Sequence, residues 1–302
     1  MPDEAALLVP AFNAAAYLPR LAAAARASER PFSEWICYDD GSTDTTTATA
    51  RSLGFRILTG AGNRGPSHAR NRLTEAASAD WLHFHDADDL FASTYLAEAL
   101  AEAGPHCDVV ICNSSWELET TRERILHWTY EQEPCDADPL GYVLTHPVGV
   151  ISALIRRSLF RDIGGFDETK TCWEDADLFV RLAEHGARFK IIPKTLVTSL
   201  RHDRGISRDQ LHCDHCRLEF LRGYARRHPT RLRPLHAAEA EKLIKKFLEH
   251  RDPQAADDAL AFCRAVGGNP PTTTHPVLQA LKRVVPALWL IRLQDLRRKA
   301  AR

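Results

Sequence analysis

A chain of 302 residues and 33.8 kDa, 44% of it hydrophobic, has room for one large α/β domain and a smaller appendage. Its 39 basic and 40 acidic residues nearly cancel, so no global field points to nucleic acid as a partner. The N-terminus MPDEAALLVP carries acids where a secretion signal carries basic residues, and the apolar run 284–291 falls short of the ~20 residues that span a bilayer, so the expectation is a cytoplasmic chain without a membrane span.

From residue 5 to about 115, short β-rich runs (5–9, 35–39, 55–58, 81–85 and 108–112) alternate with helical stretches (17–27, 44–52, 67–77 and 93–103). Short connections make this one doubly wound, mostly parallel, Rossmann-like α/β unit. After Asn113 the pattern loosens, then resumes with a strand-like run at 148–155 and a helix that opens near Trp173 and ends by Gly186. From about Asp209 the chain reads as helices broken at Pro234, Pro253 and Pro270-Pro271. The expected division is a domain over 1–208, with halves of about 1–115 and 116–208, and a helical C-terminal region over 209–302.

The eight cysteines are scattered, which fits free thiols in a reducing compartment. Cys213 and Cys216 lie in HCDHC with His212 and His215, but four residues within one turn and a half of helix lack the two separated pairs of a structural zinc site, so they read as ordinary helix residues.

Open parallel sheets bind ligands outside the carboxyl ends of their strands, so the residues just after each run are the informative ones. After the first comes Pro10-Ala11-Phe12-Asn13, after the second Asp39-Asp40-Gly41-Ser42-Thr43-Asp44, and after the fourth Asp86-Ala87-Asp88-Asp89. If the chain is still extended at 86–88, Asp86 and Asp88 point to one side and need a cation between them. Oxygen ligands of this kind suit magnesium or manganese, which complete their shells with phosphates and water. The competing reading makes Asp88 and Asp89 caps of the next helix, and Gly41 and Asp44 a turn and a cap. Two acidic strand ends in one half-domain, with Asn63-Arg64-Gly65 after the third run, favour a site.

The segments VPAFN (9–13), DDGSTD (39–44), NRGPSHARN (63–71), DADD (86–89), GGFDE (164–168) and WEDADLFVRL (173–182) occur in this order. They resemble the successive motifs of family 2 glycosyltransferases with the GT-A fold, and with RHDRGIS (201–207) the resemblance covers about residues 5–207. It implies an inverting transfer, assisted by a divalent metal, from a nucleotide-sugar donor to a hydroxyl of a glycan or lipid-linked acceptor in cell-surface polysaccharide synthesis. UDP is favoured as the nucleotide, with dTDP and GDP as alternatives. By position the resemblance implies that Asp39 holds the uracil or ribose, helped by Pro10, Phe12, Asn13 and Asp40, and that Arg70 reaches the base or diphosphate. Asp86 falls near the ribose and metal, Asp88 matches the metal ligand, and His202 matches a contact to metal or diphosphate. Gly165 and Phe166 border the acceptor pocket together with Glu174, and Asp175 matches the general base.

A carboxylate suits that last role because it is ionised at working pH and can take a hydroxyl proton. The alternative reading of Glu174, Asp175 and Asp177 is an acidic first turn that favours a helix N-terminus. Phe12 stands where the family often has Tyr, and His85 precedes the DxD, yet neither change removes a carboxylate. A nucleotidyltransferase would need a Gly-rich basic loop near the first strand, which VPAFNAAAYL lacks. A catalytically silent carbohydrate-binding or scaffold protein on the same fold is the rival from another class.

Residues 276–302 hold seven basic residues against Asp295 alone, a net charge of +6. Leu278, Leu281, Val285, Leu288 and Leu296 mark an apolar face, with Trp289 beside it and Pro286 interrupting. Such a segment suits either peripheral contact with the inner face of a membrane or packing on the protein body or a second subunit, which leaves an oligomer open.

Overall fold

The computed structural model describes residues 4–201, 209–228, 230–272, 279, 281–282 and 285–300. The chain divides into two units, Met1–Gly205 and Ile206–Arg302.

The first unit opens with β1 (Ala5–Ala11), α1 (Leu18–Arg26), β2 (Glu34–Asp39), α2 (Thr46–Ser52), β3 (Arg56–Thr59), α3 (Pro66–Ala76) and β4 (Trp81–Phe84). It continues through β5 (Leu90–Phe91), α4 (Tyr95–Glu102), β6 (Val109–Leu118), β7 (Arg124–Trp128), α5 (Gln132–Ala137) and α6 (Pro139–Thr145). A 3₁₀ turn at Val150–Ser152 leads into β8 (Ala153–Arg156), α7 (Arg157–Asp162), α8 (Glu174–Glu184) and β9 (Phe189–Arg201). The nine strands form one sheet in the order β3-β2-β1-β4-β8-β6-β9-β5, with β7 on β6. The β3-β2-β1-β4 part is parallel, as alternating strands and helices predict, whereas β8 runs antiparallel to both β4 and β6. The sheet is therefore mixed beyond β4.

β1 and β4 are buried nearly throughout because helices cover both faces of the sheet, and this is why they read as continuous apolar runs. Pro10 is tolerated in β1 for a specific reason. Leu8 accepts a hydrogen bond from His85 N on the β4 side, and pairing with β4 stops at Leu8–Phe84. By alternation the Pro10 nitrogen faces that same side two residues further on, where no ladder bond is lost. The end of β1 is thus left open towards the strand that carries the DxD.

In the second unit α9 (Gln210–Arg227), α10 (Arg233–Glu249), α11 (Pro253–Ala265) and α12 (Ala287–Ala300) pack around Leu221, Leu243, Ile244, Phe247 and Leu260. Pro234 and Pro253 sit in the first turns of α10 and α11, where a missing N–H costs nothing. Among the described residues no helix is long and apolar enough to cross a membrane.

Candidate active site

The loops at the carboxyl ends of β1, β2 and β3 are tied to one another. Asn13, at φ 51°, accepts from Thr43 N (2.9 Å) while its own N–H donates to Ser42 Oγ (2.8 Å). Asp39 accepts from Ser42 N (2.9 Å) and from the Thr47 hydroxyl. Buried Asp40 reaches the next loop and accepts from Arg64 N (2.8 Å) and Gly65 N (2.7 Å). Gly41 has φ 82°, and a methyl group there would lie 2.6 Å from Gly62 Cα, so these loops approach too closely for any side chain. Phe12, by contrast, stands 46% exposed at the end of β1. Pro10, Phe12, Asn13, Asp39 and Asp40, the five residues expected on the donor, therefore share one loop cluster.

After β4 the chain is not extended, contrary to the alternation expected for Asp86 and Asp88. Asp89 N donates to Asp86 O (3.1 Å) across a turn, so the turn sets the two carboxylates rather than the period of a strand. The capping alternative is also excluded, because the following helix starts at Tyr95 behind Thr94. Asp89 is buried and accepts from Leu200 N (2.8 Å), which fastens the turn to β9. Burial, then the charges of Asp86 and Asp88, push its pKa well above the usual carboxylate range. The three carboxyls therefore bear on one locality, and the two that remain open to solvent, Asp86 and Asp88, offer the all-oxygen donor set that magnesium or manganese takes. Two protein ligands with diphosphate oxygens and water suffice for such an ion. Among the described residues no group of three or more His, Cys, Asp or Glu is gathered as a ligand set. His202 and Ser207 lie outside the described residues.

α3 starts at Gly65 (φ 90°) and Pro66, and its buried face presents Arg70. The guanidinium, with its side chain 4% exposed, meets Asp86 Oδ1 (2.9 Å), Glu174 Oε1 (3.2 Å) and Asp175 Oδ1 (3.3 Å). Arg70 was expected on the donor; in the structure its hydrogen bonds join the DxD aspartate to the Glu-Asp pair at the start of α8. Burial works against its charge, but Asp86, Asp175 and Glu174 outweigh that and hold its pKa above the ordinary arginine value.

α8 opens with Glu174, Asp175 and Asp177 in its first turn, behind Trp173 at φ 64°. A non-glycine residue in the left-handed region is a strained position of the kind that clusters at functional sites. Asp175 is held from two sides: Oδ2 accepts from Val150 N (2.9 Å) and Oδ1 faces Arg70, with the side chain still 27% exposed. Burial raises its pKa to about 7, with Glu174 and Asp86 adding to the push and Arg70 and the Val150 N–H opposing it. Being an acidic helix start and holding a perturbed carboxyl are here the same feature, so the two readings of this segment do not compete.

The GGFDE segment behaves differently from a pocket wall. Gly165 and Phe166 are buried, and the Phe166 ring packs beneath Arg70 (5.3 Å to the ring centroid) and against Phe84 and Phe160. Asn71 clamps the loop by donating to Phe166 O (3.0 Å) and accepting from Phe166 N (2.8 Å), and a methyl on Gly165 would lie 2.5 Å from Asn71 Oδ1. Neither residue presents an open surface, so the expected place at the acceptor pocket becomes support of Arg70 from below. Glu168, to which the sequence reading gave no role, meets His68 Nδ1 (2.9 Å), Asn71 Nδ2 (3.0 Å) and Arg64 (3.3 Å) and fastens the same loop to α3. The order of GGFDE after NRGPSHARN contained both partners, but only the fold shows that they touch.

Residues 6–164 match the sequence profile of the family described as Glycosyl transferase family 2. The chain belongs to that family. A succinoglycan biosynthesis protein, ExoU, of Rhizobium meliloti is 28% identical over 209 residues, which is 63% of this chain and 60% of that protein. A pre-mycofactocin glycosyltransferase of Mycobacterium tuberculosis is 29% identical over 247 residues, 77% of this chain and 50% of that protein. The family 2 chain thus spans 50% to 60% of the length of these two relatives. Among solved structures, a mannosyltransferase from Pyrobaculum calidifontis in complex with GDP-Man and Mn2+ superposes with a TM-score of 0.60 at 19% identity, over 100% of this chain and 82% of that one. Residues 1-349 of S. aureus TarS in complex with UDP-GlcNAc give 0.57 at 17% identity, over 90% of this chain and 95% of that one. These likenesses establish the GT-A fold.

Proposed function

We propose that this chain transfers a sugar from a nucleoside-diphosphate sugar to an acceptor hydroxyl with inversion, and that Asp175 is the general base. The observation that carries the reading is Arg70, one buried cation bridging the DxD aspartate on the donor side and the carboxyl that can take a proton. Asp39 and Asp40, with Pro10, Phe12 and Asn13, form the nucleotide side, and the exposed Phe12 ring offers a stacking face. UDP is the first candidate, in keeping with the UDP-GlcNAc complex of one neighbour, and GDP the second, from the GDP-Man complex of another. Residues up to about 115 then serve the donor, and 116–208 the acceptor.

Asp88 and Asp86 would hold a divalent ion, manganese or magnesium, which when bound neutralises charge on the leaving diphosphate. Asp175 removes the acceptor hydroxyl proton as that oxygen attacks the anomeric carbon. The bond from the anomeric carbon to the phosphate oxygen breaks on the opposite face, and the configuration inverts. Each carboxylate oxygen of Asp175 has lone-pair capacity beyond its bond to Val150 or Arg70, so a third partner can be accepted. Glu174, 17% exposed beside it, is placed to meet the acceptor.

A glycan or lipid-linked acceptor in cell-surface polysaccharide synthesis completes the reading, in keeping with the succinoglycan biosynthesis named for one relative, and eight free cysteines are in keeping with a reducing, cytoplasmic setting. A thermal-shift screen of UDP- and GDP-sugars with and without manganese tests the reading, because a bound donor stabilises by mass action. A manganese-dependent rise with one nucleotide supports it; no rise with any donor contradicts it. Donor turnover then separates an enzyme from a silent binding protein.

A further inference from the structure

α12 shows two apolar faces to different surroundings. Leu290 and Ile291 are buried within the second unit, whereas Trp289 is 63% and Leu293 43% exposed. Beside the exposed face lies a groove of about 410 Å³, walled by Leu248, Leu260, Pro286 and Trp289 and edged by Arg264 and Arg292. Among the described residues Asp257 is the one carboxylate that lines it. Among the described residues, neither the Arg264 nor the Arg292 guanidinium has a hydrogen-bond or ion-pair partner. Large exposed apolar side chains beside unpaired guanidiniums ask for a partner that is apolar inside and anionic at its edge.

We propose that this face docks the chain on an anionic phospholipid surface. Trp289 and Leu293 enter the boundary between headgroups and acyl chains, and Arg264 and Arg292 bind lipid phosphates. Tryptophan suits that boundary because its ring is apolar and its N–H stays wet. The charge distribution agrees. The whole chain carries a formal charge of −1, yet residues 276–302 hold seven basic residues against one acid. Positive charge gathered at one end is drawn to the negative surface of a membrane. Arg264 and Arg292 argue against a second copy as the occupant, since a symmetric contact would set each pair of guanidiniums against its own counterpart. A free phosphate ion would use the guanidiniums but leave the apolar wall and Trp289 uncovered.

The test is sedimentation of the full chain with vesicles of phosphatidylglycerol and phosphatidylcholine, against vesicles of phosphatidylcholine alone. Binding to the anionic vesicles only, weakened at high salt, is expected. The pair Arg264→Gln and Arg292→Gln should lower the partition coefficient about thirtyfold. Trp289→Ala should lower it severalfold without moving the melting temperature, because the ring is exposed. Inorganic phosphate, against chloride of equal ionic strength, should leave binding unchanged. Four results would overturn the proposal: no partitioning of the wild type, equal partitioning of the variants, displacement by phosphate alone, or a dimer in solution that Trp289→Ala dissociates. Vesicle binding needs no donor, so its failure leaves the transfer reading untouched.

Discussion

Asp175→Asn should stabilise the fold at neutral and alkaline pH even as it removes the base. Burial in the folded protein raises the pKa of this carboxyl from an ordinary 3.8 to about 7. Three units at roughly 1.4 kcal/mol each put the cost of keeping it ionised on the order of 4 kcal/mol. A carboxyl whose pKa is raised by folding contributes its full stability below the unfolded value, near pH 4, and loses it as pH rises through about 7. An amide carries no charge at either end of that window, so the advantage of the variant over wild type should widen by roughly 2 kcal/mol from pH 5 to pH 8, after allowance for solvent at a side chain that is partly open. In a unit of this size that is about 4 to 8 °C in Tm. The amide oxygen can still accept from Val150, so the 3₁₀ turn should hold. Thermal denaturation of both proteins at pH 5, 6, 7 and 8 and constant ionic strength reads the difference. A variant less stable than wild type at pH 8, or a difference that does not change with pH, would refute the reasoning that burial burdens this carboxyl.

Two further outcomes follow from the same site. Asp88→Ala should abolish the manganese dependence of UDP binding measured by calorimetry, with little change in fold because its neighbour Asp89 makes the tie to β9; unchanged affinity would remove Asp88 as a ligand. Glu174→Gln removes a negative charge that raises the Asp175 pKa, so the acid limb of donor turnover should move to lower pH, by roughly 0.5 to 1 unit, and a limb that moves up would contradict the assignment.

The parallel half of the sheet was readable because β1, β2 and β4 are largely buried and announce themselves as apolar runs. β9 was not read as a strand, since FKIIPKTLVTSLR interleaves Pro193, lysines and threonines, and its long parallel pairing with β6, with a short antiparallel pairing with β5, makes it one. β7 escaped for a related reason: RILHW is mostly exposed and pairs with β6 alone. The convergence of Asp86 and Asp175 on one cation could not be read from strand ends and motif order, which marked the carboxylates only one by one. The carboxylate contacts of Arg70 were not legible, because sequence order does not reveal that a helix starting at Pro66 turns this side chain towards residues more than a hundred positions away. The two rival explanations of Asp88 were both framed on the wrong backbone, one on a strand and the other on a helix, where the chain makes a turn.

Donor turnover by Asp175→Asn tests the central claim most directly. With UDP-GlcNAc and manganese as the first probe, or whichever donor the thermal screen selects, nucleotide release by wild type and variant is measured beside donor affinity by calorimetry. The account predicts unchanged donor affinity and a rate lower by roughly two to four orders of magnitude, the usual contribution of a positioned base. Near-normal turnover by the variant would contradict it and return Asp175 to the role of an acidic residue at the start of a helix.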